Sequence, residues 1–217
     1  MLCPVHTKGV LFNGNQETNN FEFDQYLKRF GYKFKNDNKE LGGYAVLKNK
    51  KIILVMDVGS SPIKNFSKNY QSGALSFEII SNNKKLISNS GYFPNKYNKL
   101  NKLSKSSALQ STLIIEDYSS CNFKKKGKHD FIVDEGLTIL KKKIIQEGNY
   151  WKISGAHDGY SKKFNLIHER DIEFYPEQMK FVGFDKILTN NSNKHLKFDI
   201  RYWRIIIGPW LRFFIDL

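Results

Sequence analysis

With 217 residues, 40% of them hydrophobic and 14% aromatic, the chain is large enough to bury one sizeable core and too apolar to be globally disordered. Its 35 Lys and Arg outnumber 21 Asp and Glu, a net charge of +14 that favours polyanionic partners such as acidic polysaccharide, nucleic acid or an anionic membrane surface. Much of that excess is Lys scattered beside Asn, a pattern that an AT-rich genome also produces. Cys3 and Cys121 make neither a disulfide framework nor a zinc pattern. No stretch approaches the roughly 18 apolar residues of a membrane span, and Met1 to His6 lacks the basic and apolar regions of a secretory signal.

In chain order, His6 to Gly14 reads as a short strand closed by an Asn13-Gly14 turn. Phe23, Tyr26, Leu27 and Phe30 recur at helical spacing and predict one short helix near residues 24–30. Tyr44 to Leu47 and Lys51 to Asp57 flank a Lys-Asn-Lys turn as a hairpin. From Gly73 to Ile79, Leu75, Phe77 and Ile79 alternate with Ser76 and Glu78, the period of a half-buried strand with one polar face. Asn82-Asn83 supplies a turn and Lys85 to Ile87 restarts a strand. Residues 92–107 read as a basic loop studded with Tyr92, Phe93 and Tyr97. Further strands are predicted over residues 111–117, 131–133, 137–145, 150–154, 164–169, 171–175, 179–187 and 195–202, punctuated by Glu147-Gly148-Asn149, Asp158-Gly159 and Pro176. Many short strands between turn signals predict an all-β antiparallel sandwich.

The run Gly73-Ala74-Leu75-Ser76-Phe77-Glu78 is followed by Asn89-Ser90-Gly91. Around it lie Gly43-Tyr44, Asp57-Val58-Gly59, Gln110 to Leu113, Asp117 to Ser120, His157 to Tyr160 and Leu166 to Arg170. In this order and spacing they resemble the C-terminal β-sandwich of the heparinase II/III-like polysaccharide lyases of bacteria, over residues 6–201. The resemblance implies a supersandwich-like fold and an enzyme that cleaves uronate-containing acidic polysaccharide by β-elimination. It also implies a helical α/α toroid, absent from this chain, as an upstream or separate partner. A non-catalytic acidic-glycan-binding or structural module is the alternative. No recognition motif for nucleic acid accompanies the charge, and cytoplasm and cell envelope or periplasm both stay open. Residues 202–217 depart from the family and are similar to a segment of surface-polysaccharide transferases, so a mis-joined reading frame and an ordinary final strand are both open there.

β-Elimination needs donors that offset charge on the uronate carboxylate and groups that move protons at C5 and O4. In the family, a loop H-x-H-A-[DG] runs into A-L-S-F-E; here Asn69 and Gln71 stand in the histidine places, with Tyr70 between them. The positions that bind metal in some members read Gln71, Asn89 and Gln110. An amide oxygen is a poor zinc ligand and accepts no proton at neutral pH, so neither metal nor cofactor is expected. Asn69, Tyr70, Gln71 and Gln110 are candidates for holding a sugar, or else the amides merely satisfy loop backbone. His157 and Tyr160, flanking an Asp158-Gly159 loop tip, are the candidate catalytic pair, weighed against a hairpin turn with an incidental histidine. His168 and Arg170 share one strand face, which points to core or cross-strand pairing. Lys124 to Lys126 and Lys141 to Lys143 read as solvated edges, or as a basic groove if they share a face with Lys96 to Lys105.

Overall fold

The computed structural model describes residues 10–14, 21–31, 38–82, 84–93, 99–127, 130–189, 200–202 and 211–216. After α1 (Phe21–Arg29), the strands β1 (Glu40–Leu41), β2 (Tyr44–Lys48), β3 (Ile52–Asp57), β4 (Phe77–Ser81) and β5 (Lys84–Ile87) form one antiparallel sheet in chain order. Then come α2 (Lys99–Ser104), β6 (Leu113–Ile115), β7 (Asn122–Lys126), β8 (Asp130–Glu135), β9 (Ile139–Glu147), β10 (Tyr150–Tyr160), α3 (Ser161–Phe164), β11 (Leu166–Tyr175), β12 (Lys180–Thr189), β13 (Ile200–Tyr202) and β14 (Leu211–Asp216). The second sheet runs β14-β12-β11-β10-β9, antiparallel apart from β14, which lies parallel to β12 at the edge. β7 pairs with β8, and β13 with β6, as two-stranded ribbons.

The two large sheets share one core. Ala45, Leu47, Leu54, Met56, Phe77 and Ile79 of the first meet Trp151, Ile153, Ile172, Phe174 and Phe181 of the second. Phe174 stacks on Phe181 with centroids 4.2 Å apart, and Trp151 meets Phe174 edge-on at 5.0 Å. Leu75 enters the second sheet where a Cβ on Gly155 would come within 2.4 Å of the leucine Cδ2, so the strand needs glycine there to let a neighbouring chain approach. Along one side, Lys142 bonds Glu40, Lys39 Nζ donates to the Gln146 carbonyl at 3.3 Å, and Gln146 Nε2 donates to the Lys48 carbonyl at 2.9 Å. These bonds tie the β9 edge to the first sheet at Lys142 and Gln146.

Several sequence expectations change. β4 starts at Phe77, because Leu75 is left-handed at φ 57° and residues 73–76 turn instead of extending. Its polar face is covered: Val10 and Phe12 pack on Ile53, Val55 and Ile80, and Glu78 is wholly buried with its carboxylate accepting from the Leu11 amide at 3.1 Å. The loop at 92–107 contains α2, and α3 is a third short helix beside the one expected near 24–30. Lys124 to Lys126, expected as a solvated edge, lie in the strand β7. β10 runs straight through Asp158-Gly159, and β11 is continuous where two strands were expected. The expectations on residues 6–9, 94–98, 195–199 and 203–210 lie outside the described residues. Among the described residues no helix is long and apolar enough to cross a membrane.

Among the described residues, three of the six lysines in the two runs are held by carboxylates. Lys124 pairs with Asp134 at 2.8 Å, Lys141 with Glu169 at 2.6 Å, and Lys142 with Glu40.

Candidate functional site

The loop between β3 and β4 is anchored from below by a carboxylate. Asp57, at the end of β3, accepts from the Gly59 amide at 3.0 Å and from Asn13 Nδ2 at 3.2 Å. Burial pushes its pKa up to about 7, against the pull of those two donors. Asn13 Nδ2 also reaches the Tyr44 hydroxyl at 2.6 Å, and Asn13 Oδ1 accepts from the Gln71 amide at 3.0 Å.

Gln71 is buried with every face of its amide used. Its Nε2 donates to the carbonyls of Gly91 at 3.0 Å and Ser104 at 2.6 Å, and its Oε1 accepts from the Gly14 amide at 3.1 Å. Gln110 Nε2 donates to the same Ser104 carbonyl at 3.2 Å, so the fold brings Gln71 and Gln110 together around one backbone oxygen. Asn89 is bonded next to Gln110, its Oδ1 accepting from the Ser111 amide and hydroxyl at 2.8 and 3.1 Å, while its buried Nδ2 has no partner among the described residues. Tyr70 turns into the core with Ala74, Cys121, Val133 and Leu137. Of the four proposed sugar contacts only Asn69 is exposed. Among the described residues no group of three His, Cys, Asp or Glu side chains is placed to hold a metal ion.

Two features here were not read from the sequence. Lys105 is buried, its ammonium bonded to the carbonyls of Lys68 at 2.5 Å and Tyr70 at 3.1 Å and flanked by the rings of Tyr92 and Phe123 at 5.4 and 5.3 Å. Burial lowers its pKa to about 8, with Asp130 opposing. Ser72, Ser107 and Ser120 form a hydroxyl cluster: Ser72 and Ser120 Oγ are 2.9 Å apart, and Ser107 Oγ donates to the Ser72 carbonyl at 2.7 Å. Nothing in the spacing of these serines distinguishes them from other loop serines, and Lys105, between Ser104 and Ser106, looks like any other lysine of its loop because the rings that flank it, Tyr92 and Phe123, are distant in the chain.

His157 and Tyr160 lie inside β10, across a bulge in its pairing with β11, and not at a loop tip. Both are buried. The Tyr160 hydroxyl donates to the Leu113 carbonyl at 2.7 Å, and burial raises its pKa well above the ordinary phenol value. His157 Nδ1 accepts from the Gly159 amide at 3.0 Å; its Nε2 faces His168 Nδ1 at 3.1 Å, and His168 Nε2 faces Asp185 Oδ1 at 2.5 Å. The amide at one end and the carboxylate at the other assign the protons: both imidazoles carry theirs on Nε2 and both are neutral. Burial is the largest cause lowering both histidine pKa values, with Arg170 adding to it. Burial would raise Asp185, but the Arg170 guanidinium and His168 outweigh it and hold the carboxyl well below its usual range. Arg170 grips Asp185 through Nε at 2.8 Å and Nη2 at 2.9 Å, and its Nη1 donates to the carbonyls of Leu75 at 2.9 Å and Ser111 at 2.7 Å. The chain of bonds is closed, so it orients and stabilises but exposes no proton to a ligand.

The comparisons place this architecture. The family described as Heparinase II/III-like, C-terminal, matches residues 37–205. Heparinase III superposes with a TM-score of 0.57 at 19% identity, covering 84% of this chain and 30% of its own. The heparan sulfate lyase HepC of Pedobacter heparinus superposes with a TM-score of 0.55 at 14% identity, covering 80% of this chain and 28% of its own. This chain therefore spans less than a third of the length of those structures, and at such identities the likeness speaks for the fold. No curated protein matches the sequence. With the family match running over most of its length and the two-sheet core shared with those structures, the chain belongs to the heparinase II/III-like family, as its C-terminal β-sandwich domain.

Proposed function

We propose that this domain is the glycan-holding part of a lyase that cleaves uronate-containing acidic polysaccharide by β-elimination, with the proton-transferring groups supplied by a helical toroid domain. The observation that carries this reading is the closed bond chain from Gly159 through His157 and His168 to Asp185. A general acid or base must reach the proton it moves, and neither imidazole nor the Tyr160 hydroxyl is exposed. What remains for the sandwich is contact: Asn69 at the loop surface and a chain whose net charge is +14.

The second reading, a non-catalytic acidic-glycan-binding or structural module, is favoured by the carboxamides. Gln71 and Gln110, in the places where the family's metal sites lie, are spent on backbone carbonyls. The two readings share the prediction of binding. The chain is passed over resins carrying an oligouronate, heparin or a neutral glucan; the proposal expects retention on the two acidic resins, released by raised salt, and flow-through on the third. Equal behaviour on all three resins contradicts it.

A further inference from the structure

A cleft that Asn69 does not line, with about 100 Å3 of interior space, opens beside the end of β10, between Tyr118 and α3. Its rim is aromatic. Tyr118 is 42% exposed and meets Phe164 edge-on at 5.5 Å. Both residues of the turn before Tyr118 are left-handed, Glu116 at φ 52° and Asp117 at φ 60°, and the Tyr118 amide closes it onto the Ile115 carbonyl at 2.8 Å. Asn165, which ends α3, is left-handed too, at φ 58°. Three non-glycine residues thus hold a conformation that costs L-residues energy, and what they position is the aromatic pair.

The charges of the cleft are unequal in their engagement. Glu135 accepts from Asn122 Nδ2 at 2.8 Å and from Lys162 Nζ at 3.3 Å, and Asp158 Oδ1 accepts from the Thr138 amide at 2.6 Å. Lys163 is different. Its ammonium lies 3.0 Å from the Tyr118 ring centroid and 5.7 Å from that of Phe164, with no carboxylate partner among the described residues. At the cleft wall, a Cβ on Gly159 would come within 2.4 Å of the Ser120 carbonyl oxygen, so the wall is drawn tight by a residue that only glycine satisfies.

We propose that this cleft binds one anionic sugar unit, its carboxylate or sulfate drawing Lys163 off the Tyr118 ring and its own ring taking the place of the ammonium against Tyr118, beside Phe164. The exposed Tyr118, held by a half-buried Phe164, offers the apolar face of a sugar ring a surface. The cation above it answers the anion that the local carboxylates do not provide. The space is well below the roughly 300–1,000 Å3 of a drug-sized site, which fits a single ring and not a run of them. This inference rests on reading the domain as one that handles acidic polysaccharide, and adds a contact point separate from Asn69.

The test titrates the full chain, by backbone amide NMR and calorimetry, with an unsulfated oligouronate, a heparin-derived oligosaccharide and a neutral cello-oligosaccharide. Wild type, Lys163→Gln, Tyr118→Ala and Asn69→Ala are compared; all three altered side chains are on the surface. The expected result is shifts at Ser119 and Asp158 to Phe164 with at least one acidic ligand, and a Kd raised at least about 5-fold in the Lys163 and Tyr118 variants. Comparing the two acidic ligands tells whether carboxylate or sulfate is taken. Acidic binding that leaves the cleft resonances still and is indifferent to both variants overturns the cleft and leaves the reading of the domain standing. Failure of the wild type to bind either acidic ligand overturns both. Equal affinity for the neutral ligand overturns the role given to Lys163.

Discussion

Arg170 Nη1 donates to the Leu75 carbonyl oxygen at 2.9 Å, from the second sheet to the turn that leads into the first. Leu75 is left-handed, and its amide is bonded to the Asp57 carbonyl at 2.9 Å. The conformation that interrupts the alternation before β4 is therefore held by a guanidinium on the facing layer. Arg170→Leu removes that hold and leaves the Asp185 carboxylate buried without its bidentate partner. The expected loss is about 3–5 kcal/mol, read by urea unfolding. In Arg170→Leu/Asp185→Leu the stranded charge is gone, and the double variant is expected to be more stable than the single one.

Gly155→Ala tests the packing of the same leucine. The added methyl falls where Leu75 Cδ2 now lies, in a core with apolar neighbours on both sides. Overpacking of this kind costs about 1–3 kcal/mol, and Gly155→Ala/Leu75→Ala is expected to cost less than the sum of its parts, measured by a double-mutant cycle.

Gln71→Glu replaces an amide that donates to two carbonyls with a group that donates to none when ionised. The buried carboxylate faces the Gly91 and Ser104 oxygens, so its pKa rises and the folded state binds a proton that the unfolded chain has released. Stability then falls as pH rises from about 4 to neutral, relative to wild type. Gln71→Ala lacks that pH dependence. Parallel unfolding curves at pH 5 and pH 8 separate the two.

His157 and His168 are expected to stay neutral through the pH range where free histidine titrates, both with the proton on Nε2. Nitrogen-15 chemical shifts of the imidazoles read this directly. The unfolded chain takes up protons near pH 6.5 and the folded one does not, so these two groups stabilise the fold above that pH and the contribution is lost as pH falls toward their depressed folded values. Asp57, raised to about 7, acts in the opposite sense by retaining its proton in the folded state. The imidazole shifts, and not the net slope of stability, are therefore the readout.

How much of this could be seen in the sequence depends on where polar residues fall. The β2–β3 hairpin was legible because apolar runs and a turn bracket it. β11 was not legible as one strand, although its inward positions alternate regularly. They are Leu166, His168, Arg170, Ile172 and Phe174, and the buried histidine and arginine disguise the period. Glu78 looked like an outward residue because nothing local announces that residues 10–12 cover that face. The candidate positions meet in part, with Gln71 and Gln110 sharing the Ser104 carbonyl and Asn89 bonded to Ser111. Their state was not legible: whether an amide faces a ligand or a carbonyl depends on Gly14, Gly91 and Ser104, far away in the chain. Asp158-Gly159 misled because turn chemistry there serves a strand bulge.

The most direct measurement follows the ultraviolet absorbance of unsaturated product while the chain alone is incubated with oligouronate and heparan-type polymers. Wild type, His157→Gln and Tyr160→Phe are expected to give the same flat trace, because those side chains are bonded inward and meet no substrate. A rising trace in the wild type that either substitution abolishes, in variants that remain folded, contradicts the account: the sandwich would then hold an acid–base site of its own.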